Sequence, residues 1–350
     1  MRSETPAAAE WPVSGLEAVP DCPLCGAKQR TLAHAGLKDY CFECAPGVWS
    51  MFQCDQCGSG YLDPRPNQQT IGLAYSRYYT HQAFDASLKG LRGLWLALRD
   101  DYVKAAFGVN VARALWPGRW LFQLFPITRQ GVDASLARNL VRPTEATFRL
   151  LDVGCGNGNF LKFARKAGWQ VRGLDLDPVA VAAARSKGLD VLLGTIDILD
   201  GESECYDRIT LSHVLEHVYD PWDVLARCFR LLKPGGVLWL EAPNMQSNGR
   251  IAFDVYWRGL EPPRHLHLFS RKCLKDKIGE IGFSEIQDRF SSFATQAMWK
   301  ESRQIMVKAG VGKRLRHTFV GQLIAEVKAL FSVNSREFIT LVCVKKNEKK

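Results

Sequence analysis

A buried strand that runs into three closely spaced glycines constrains the fold of this 350-residue chain more than any other segment. Residues 150–160 read Leu-Leu-Asp-Val-Gly-Cys-Gly-Asn-Gly-Asn-Phe, so glycine occupies every second position after an apolar run. The next residues have the apolar spacing of a helix. Such a turn lets the backbone approach a nucleotide-like ligand closely, because glycine has no Cβ. An ordinary strand-to-helix connection has the same pattern, so the turn alone does not decide between the two.

Strand-like and helix-like segments alternate after residue 147. The patterns predict strands over 148–153, 169–174, 190–193, 206–211 and 236–242, with helices over 159–167, 178–187 and 222–232. This alternation predicts a doubly wound, mainly parallel sheet that binds its ligand at the carboxyl ends of the strands. Two later strands, over 283–290 and 337–344, make the sheet seven-stranded, and a helical insert at about 294–335 separates them.

Asp175 closes the second strand of this unit, 23 residues after Asp152. A carboxylate at that place can accept both hydroxyl groups of a ribose. The alternative is an aspartate that caps the next helix. Asp177 fits that alternative better, because Pro178 follows it at the first helical position.

Six of the eleven cysteines form three Cys-x-x-Cys pairs. In a cytoplasmic protein, paired cysteines indicate structural zinc rather than disulfides, and one Zn²⁺ needs four ligands. Gly26 and Gly58 directly follow two of the pairs and allow the tight turn of a zinc knuckle. We therefore predict a zinc ribbon over 21–66 with the ligands Cys22, Cys25, Cys54 and Cys57. A different choice of pairs, or a reactive dithiol at Cys41 and Cys44, remains open.

The sequence patterns of residues 1–20 and 67–147 say less about fold and function. Residues 1–20 are predicted to be disordered and lack the pattern of a signal peptide, which favours a cytoplasmic protein. Residues 67–147 have helical patterning, with helices near 71–79 and 88–107. The Trp-rich stretch 109–128 could be a lid on the domain at 148–346, lie on a membrane surface or form a dimer contact. No apolar run is long enough to span a bilayer.

The chain carries a formal charge of +10, and residues 291–350 contribute +8 of it, from 12 Lys and Arg against 4 Asp and Glu. This surplus suits an anionic partner, namely a phosphorylated small molecule, RNA or a membrane face, or is a solvated surface. Lys313, Arg314, Arg316 and His317 form its densest part. A basic cover over the sheet would suit a phosphorylated acceptor.

Four motifs in order give a family resemblance: Leu-Asp-Val-Gly-Cys-Gly-Asn-Gly at 151–158, Gly-Leu-Asp-Leu-Asp-Pro at 173–178, His-Val-Leu-Glu-His-Val at 213–218 and Leu-Lys-Pro-Gly-Gly at 232–236. Together they resemble the class I S-adenosylmethionine-dependent methyltransferases, in the branch of ubiquinone O-methyltransferases and methyltransferases of bacterial polysaccharide loci. Pro-Pro-Arg-His-Leu-His-Leu-Phe-Ser at 262–270, and a zinc knuckle that runs into Asp-Pro-Arg-Pro, are also typical of that branch.

The resemblance implies S-adenosylmethionine as cofactor and assigns its contacts. The glycines would hold its methionine part, Asp152 would support the amino group and Asp175 would bind the ribose. Related enzymes carry an acidic residue near adenine where this chain has Thr195. The implied cofactor-binding residues are Asp152, Gly154, Gly156, Gly158, Asp175, Leu176, Thr195, Ile196 and His213.

The implied reaction is direct displacement, in which the protein aligns a nucleophile and, where needed, removes a proton. His213, His217 and His265 are the candidate bases, because a neutral imidazole accepts a proton near pH 7. The alternative for His217 is a role in fixing its loop to the sheet. Arg264 and His267 are candidate substrate-binding residues, since an arginine can grip a phosphate or carboxylate.

The leading hypothesis is methyl transfer to a small-molecule acceptor, a sugar, nucleotide-sugar or lipid-linked glycan precursor. An RNA methyltransferase is the first alternative, although the stretch from Cys22 to Cys57 is neutral and lacks the basic and aromatic interleaving of a nucleic-acid surface. A non-catalytic scaffold that binds the cofactor is the second. The acceptor is expected to be anionic or phosphorylated, and contact with a membrane surface fits the same charge.

Overall fold

A computed structural model describes residues 10–76, 90–111, 113–290, 292–312 and 314–346 of the chain. The end of the helix predicted near 71–79, the start of that near 88–107, and Lys313 of the predicted basic group lie outside the described residues.

Residues 10–66, which we call the cysteine module, form two small sheets. The strands are β1 Leu16–Glu17, β2 Arg30–Leu37, β3 Trp49–Cys54, β4 Gly60–Leu62 and β5 Arg65–Pro66. β1 pairs with β5, and β2, β3 and β4 form an antiparallel sheet. The prediction of disorder through residue 20 is wrong for residues 10–20. Trp11 is buried with its ring edge-on to Trp49, and β1 is hydrogen-bonded to β5.

Three helices follow: α1 Leu91–Phe107, α2 Gly118–Leu124 and α3 Pro126–Ser135. Phe107 of α1 and Val132 of α3 lie in one buried cluster with Leu161 and Trp169 of the α/β unit. These helices therefore pack on the α/β unit and share its core.

The α/β unit contains the large sheet. Its strands are β6 Arg149–Val153, β7 Gln170–Asp175, β8 Asp190–Leu193, β9 Tyr206–Ser212, β10 Leu232–Pro243, β12 Phe283–Asp288 and β13 Phe338–Lys345, while β11 His267–Leu268 lies elsewhere. The order across the sheet is β12-β13-β10-β9-β6-β7-β8, and all strands are parallel except β13. The predicted doubly wound, seven-stranded, mainly parallel sheet is confirmed.

The helices of this unit are α4 Asn159–Lys166, α5 Pro178–Arg185, α6 Pro221–Leu231, α7 Asn248–Phe253 and α8 Arg271–Ile281. Local chemistry fixes where they begin. The carboxylate of Asp177 accepts a hydrogen bond from the N–H of Val179, and Asp220 does the same for Trp222. Each cap is followed by proline at the first helical position, where a missing N–H costs nothing. The caps hold the strand-to-helix turns at the carboxyl edge of the sheet.

β11 joins the two parts of the molecule, because it pairs with β4 of the cysteine module rather than with the large sheet. The register sets His267 opposite Tyr61 and Leu268 opposite Gly60. Tyr61 and Cys54 also share a buried cluster with Leu211 and Leu240 of the large sheet. The cysteine module is thus part of the same core as the α/β unit.

Two helices, α9 Ser292–Lys308 and α10 Phe319–Phe331, fill the insert before β13. α9 packs against α3 on one side and α10 on the other. Within the described residues, no helix combines the length and apolar character that a bilayer crossing requires.

Candidate active site

The glycine turn between β6 and α4 has the backbone that only glycine adopts readily. Gly154, Gly156 and Gly158 have φ values of 70°, 54° and 75°. A Cβ on Gly154 would lie 2.6 Å from Val214, and one on Gly158 would lie 2.4 Å from Leu189. The turn therefore needs glycine both for its conformation and for its packing against neighbouring loops.

The N–H groups of this turn are used within the chain. Those of Gly154 and Cys155 donate to the carbonyl oxygen of Leu174, at 2.8 and 2.9 Å, and that of Gly156 donates to the Asp175 carboxylate at 2.7 Å. From the sequence, we expected the backbone N–H groups of the glycine turn to point at a ligand. In the structure, the glycines instead keep side chains out of the space at the carboxyl ends of β6 and β7.

Asp152 is fully buried at the end of β6. Its Oδ1 accepts hydrogen bonds from Arg138 and from Thr210, the latter at 2.7 Å. Its Oδ2 has no partner among the described residues. Burial raises the pKa of Asp152, and Arg138 opposes that shift. A buried acceptor without a donor is costly, so Asp152 fits a ligand that brings an N–H or ammonium group.

Asp175 lies at the end of β7 and is partly exposed. Its two oxygens accept from the N–H groups of Gly156 and Asp177, which fixes the carboxylate at the mouth of the glycine turn. Leu176 is 68% exposed beside it. Thr195 is exposed, whereas the side chain of Ile196 is buried in the core. The contact of these two residues with adenine stays a prediction.

His213 follows β9 and lies between two carboxylates. Its Nδ1 is 3.1 Å from Glu216 Oε1, its Nε2 is 3.4 Å from Glu241 Oε1, and its ring packs edge-on against Phe338. Burial favours the neutral ring, but the two carboxylates outweigh it and raise the pKa of His213 to about 10. The side chain of Glu241 also accepts from Thr340 at 2.6 Å. His213 is therefore an imidazolium at neutral pH and does not fit the predicted role of a base.

His217 and His265 lie against each other, with ring centroids 4.7 Å apart. His217 is partly exposed, and its Nδ1 lies 3.1 Å from the carbonyl oxygen of Arg264, which leaves Nε2 with its lone pair. His265 is buried, and burial lowers its pKa to about 4. Ligand atoms of Glu216, His217 and His265 all lie within 4.8 Å of one another, as a metal ion would require.

Arg264 and His267 are not placed to bind a substrate. Arg264 is fully buried and donates to Asp39 at 3.0 Å and to Glu261 at 3.0 Å. His267 is fully buried, its Nε2 lies 3.0 Å from the carbonyl oxygen of Val218, and burial lowers its pKa to about 4. Arg264 holds the loop before β11 against Asp39 of the cysteine module, and His267 in β11 is bonded to the segment after β9. The expectation of substrate binding is wrong because neither side chain is accessible.

The four predicted zinc ligands lie together. The sulfur atoms of Cys22, Cys25, Cys54 and Cys57 are all within 4.8 Å of one another. The Sγ atoms of Cys22 and Cys57 are 3.8 Å apart, and those of Cys25 and Cys54 are 3.5 Å apart. Sulfurs bound to one zinc at ~2.3 Å in a tetrahedron would be ~3.8 Å apart, so the cluster fits a Zn²⁺ ion.

Cys41 and Cys44 lie outside that cluster. Burial raises the pKa of the Cys41 thiol to about 12, and the thiol of Cys44 donates to the carbonyl oxygen of Ala74 at 3.2 Å. A reactive dithiol needs an accessible thiolate, which this environment disfavours.

A cavity of about 180 Å³ lies between α1, α3 and α9. Its wall consists of Trp95, Arg99, Val132, Ser135, Leu136 and Phe293. Leu136 is two residues from Arg138, whose guanidinium is bonded to Asp152.

Comparison with known proteins assigns the α/β unit to a protein family. Residues 124–287 match a family described as a methyltransferase domain. A ubiquinone biosynthesis O-methyltransferase of Xanthomonas oryzae pv. oryzae is 40% identical over 103 residues, 27% of this chain and 43% of that protein. Its counterpart from Xanthomonas axonopodis pv. citri is 36% identical over 135 residues, 37% of this chain and 54% of that protein. The α/β unit is a methyltransferase domain.

The chain spans about half the length of these curated relatives. Among solved structures, a SAM-dependent methyltransferase from Archaeoglobus fulgidus is 19% identical with a TM-score of 0.44, covering 65% of this chain and 99% of that one. Phosphoethanolamine N-methyltransferase 2 of Haemonchus contortus, solved with S-adenosyl-L-methionine, is 16% identical with a TM-score of 0.42. The match covers 83% of this chain and 63% of that one.

Sequence reasoning missed four residues of the methyltransferase site: Arg138, Thr210, Glu241 and Thr340. Arg138 precedes the predicted domain boundary at 148, and Thr340 comes almost 100 residues after Glu241. One signal was available. Thr210 and Glu241 lie at the carboxyl ends of predicted strands, where polar side chains in apolar runs indicate a site.

Proposed function

We propose that this protein transfers a methyl group from S-adenosylmethionine to a small-molecule acceptor, of the class of sugars, nucleotide-sugars or lipid-linked glycan precursors. The observation that carries the proposal is the arrangement at the ends of β6 and β7. An open glycine turn there lies between Asp175, held by two N–H groups, and Asp152, whose Oδ2 has no donor among the described residues.

The cofactor, when bound, supplies a sulfonium-activated methyl group. Asp175 would hold the ribose, and Asp152 would accept from the amino group, with Arg138 and Thr210 fixing the Asp152 carboxylate. Water exclusion and alignment of the acceptor are the remaining tasks of the protein.

Among the three predicted bases, His217 fits proton removal best. Its Nδ1 lies 3.1 Å from both the carbonyl oxygen of Arg264 and the hydroxyl of Tyr75; in the tautomer that donates from Nδ1 to the carbonyl, Nε2 would accept the proton of an acceptor hydroxyl. His213, already protonated, would hold an anionic or polar group of the acceptor by charge. His217 Nε2 would take the proton of the acceptor hydroxyl, and the bound cofactor would supply the methyl group to the acceptor oxygen as the bond between its sulfur and that carbon breaks.

The cavity between α1, α3 and α9 supports a small acceptor. Its volume of about 180 Å³ is below the ~300 Å³ typical of whole ligand sites, so it suits one ring of a larger molecule. Trp95 and Phe293 line it with their rings edge-on and their centroids 5.8 Å apart, and Arg99, which is paired with Asp100 at 2.6 Å, lies over the Trp95 ring.

The test is incubation with S-adenosylmethionine labelled on its methyl group and fractionated cell extract. We expect label in sugar, nucleotide-sugar or lipid-linked fractions, lost in Asp175→Asn and retained in Asp177→Asn. Label in RNA would establish the RNA alternative instead. Cofactor binding without transfer to any fraction would establish a scaffold.

We also propose that Cys22, Cys25, Cys54 and Cys57 hold one structural zinc ion. Four sulfurs at tetrahedral spacing support it, and a site with four cysteines has no open position for chemistry. The role of the ion would be to fix the cysteine module against β11.

A further inference from the structure

Helix α10 buries its small and polar residues and exposes its large apolar ones. Its inward face consists of two alanines and a polar residue, Ala325, Ala329 and Gln322, which are buried. Its large apolar side chains are exposed, with Phe319 at 74% and Phe331 at 87%. A helix that only packs on the core buries its large apolar residues, so this helix is built to contact something else.

The exposed side chains form one continuous face. At 100° per residue they fall within an arc of about 140°. They are Phe319, Val320, Leu323, Ile324, Val327, Leu330 and Phe331, all at least 40% exposed. A contiguous apolar patch of this kind marks an interaction site with a protein or a membrane.

A second exposed apolar surface lies on and before α2. Trp116, Trp120, Leu124 and Phe125 are exposed there. α2 packs against α3, and α9 packs against both α3 and α10. One group of packed helices thus carries both surfaces. Exposed Trp and Phe side chains are enriched where proteins meet the interface of a bilayer.

The charges around α10 are basic. Arg314 and Arg316 precede the helix, Lys328 lies on it, and all three are exposed. Glu326 is partly buried, and its carboxylate accepts from Gln322. Two copies of this chain docked through α10 would bring like charges together, whereas anionic lipid headgroups would complement them.

We propose that α10 lies in the interface of an anionic lipid bilayer, with its apolar face in the acyl boundary and Arg314, Arg316 and Lys328 at the headgroups. The aromatic surface of α2 adds a second contact to the same bilayer. The proposal is independent of the methyl-transfer reaction, since it needs only the surface of the folded chain.

The test is co-sedimentation of the full chain with vesicles of phosphatidylglycerol and phosphatidylcholine, and with vesicles of phosphatidylcholine alone. We expect binding to the anionic vesicles that weakens when salt rises from about 0.1 to about 0.5 M, and at least about tenfold weaker binding to the neutral ones. Failure to bind anionic vesicles overturns the proposal.

Paired variants locate the contact. Leu323→Ser/Ile324→Ser should weaken vesicle binding about tenfold or more, because two exposed apolar side chains no longer enter the bilayer. Leu32→Ser/Val48→Ser removes two similarly exposed apolar side chains from the cysteine module and should leave binding unchanged. Equal binding by both variants overturns the assignment to α10. A dimer in light scattering that Leu323→Ser/Ile324→Ser dissociates would show that the face joins two copies instead.

Discussion

Asp152 and Asp175 end adjacent parallel strands, yet their surroundings give them different tasks. Asp152 is fully buried and fixed by Arg138 and Thr210. Asp175 is partly exposed and fixed by two backbone N–H groups. A rigid, accessible carboxylate suits hydroxyl groups of a ligand, whereas a buried one with an unpaired oxygen suits a cationic donor.

Replacing Asp175 tests the cofactor site. Asp175→Asn should weaken binding of S-adenosylmethionine about 10- to 100-fold, because a charged hydrogen bond to a hydroxyl contributes about 1.5–3 kcal/mol. Isothermal titration calorimetry measures the change. Asp177→Asn is the matched control, since asparagine also caps a helix. This variant should bind S-adenosylmethionine with unchanged affinity. Unchanged affinity in Asp175→Asn would exclude the predicted ribose contact.

His213 makes stability depend on pH. Its pKa rises from 6.5 when unfolded to about 10 when folded. Its stabilising contribution is therefore complete below pH 6.5 and is lost as pH rises through about 10.

The destabilisation caused by His213→Gln should therefore shrink between pH 7 and pH 10. We expect a decrease of about 2 kcal/mol, after allowance for the partly exposed ring. Urea unfolding of both proteins across that range measures it. A pH-independent difference would mean that His213 is not a charged partner of Glu216 and Glu241.

At the scale of elements, the loop from Glu261 to β11 fastens the cysteine module to the α/β unit. Arg264 bridges Asp39 of the module and Glu261 of the loop, and all three side chains are buried. Burial pushes the pKa of Asp39 upward, but Arg264 outweighs it and lowers that pKa below its usual value. The ion pairs fix where β11 meets β4.

Arg264→Met should destabilise the protein by about 3–5 kcal/mol, because it leaves the Asp39 carboxylate buried without a cation, whereas Glu261 keeps its ion pair with Arg258. Chemical denaturation measures the loss. Arg264→Met combined with Asp39→Asn should cost less than the sum of the single variants, since the two residues act as a pair. A fully additive result would contradict the pairing. Loss of activity without loss of stability would restore the substrate-binding role.

At the scale of the whole molecule, one core runs from the cysteines to the large sheet. Cys54 and Tyr61 share a cluster with Leu211 and Leu240. The indole of Trp222 on α6 also donates to the carbonyl oxygen of Leu24 at 3.1 Å. Unfolding around the cysteines should therefore also destabilise the methyltransferase domain.

Metal removal tests this coupling. We expect one zinc per chain by elemental analysis, lost in Cys22→Ser and retained in Cys41→Ser/Cys44→Ser. Loss of the metal by variant or chelator should lower the melting temperature of the entire chain in a single transition, because binding energy is folding energy for such sites. An early, separate transition of the module alone would contradict the shared core.

Sequence reasoning captured features that depend on neighbours along the chain. The strands ending at Asp152 and Asp175 and the Asp177 cap follow from local periodicity and turn chemistry. The burial of Arg264, His267 and Ile196 could not be foreseen, because each depends on an element distant in sequence. Glu216 raises the pKa of His213 from within the same motif, but the second carboxylate, Glu241, reaches His213 only when β9 and β10 pair.

By itself, the sequence determined the sheet architecture and the glycine turn, since these follow from apolar periods of two and 3.6 residues and from the absence of a Cβ. Only the tertiary structure decided which polar groups are accessible. Burial and ion pairing come from strands and loops that meet across the fold: β11 pairs with β4, and the segment that contains Arg264 and His267 is buried there. The same packing turned the apolar face of α10 outward, because the face with Gln322 and Ala325 contacts α9.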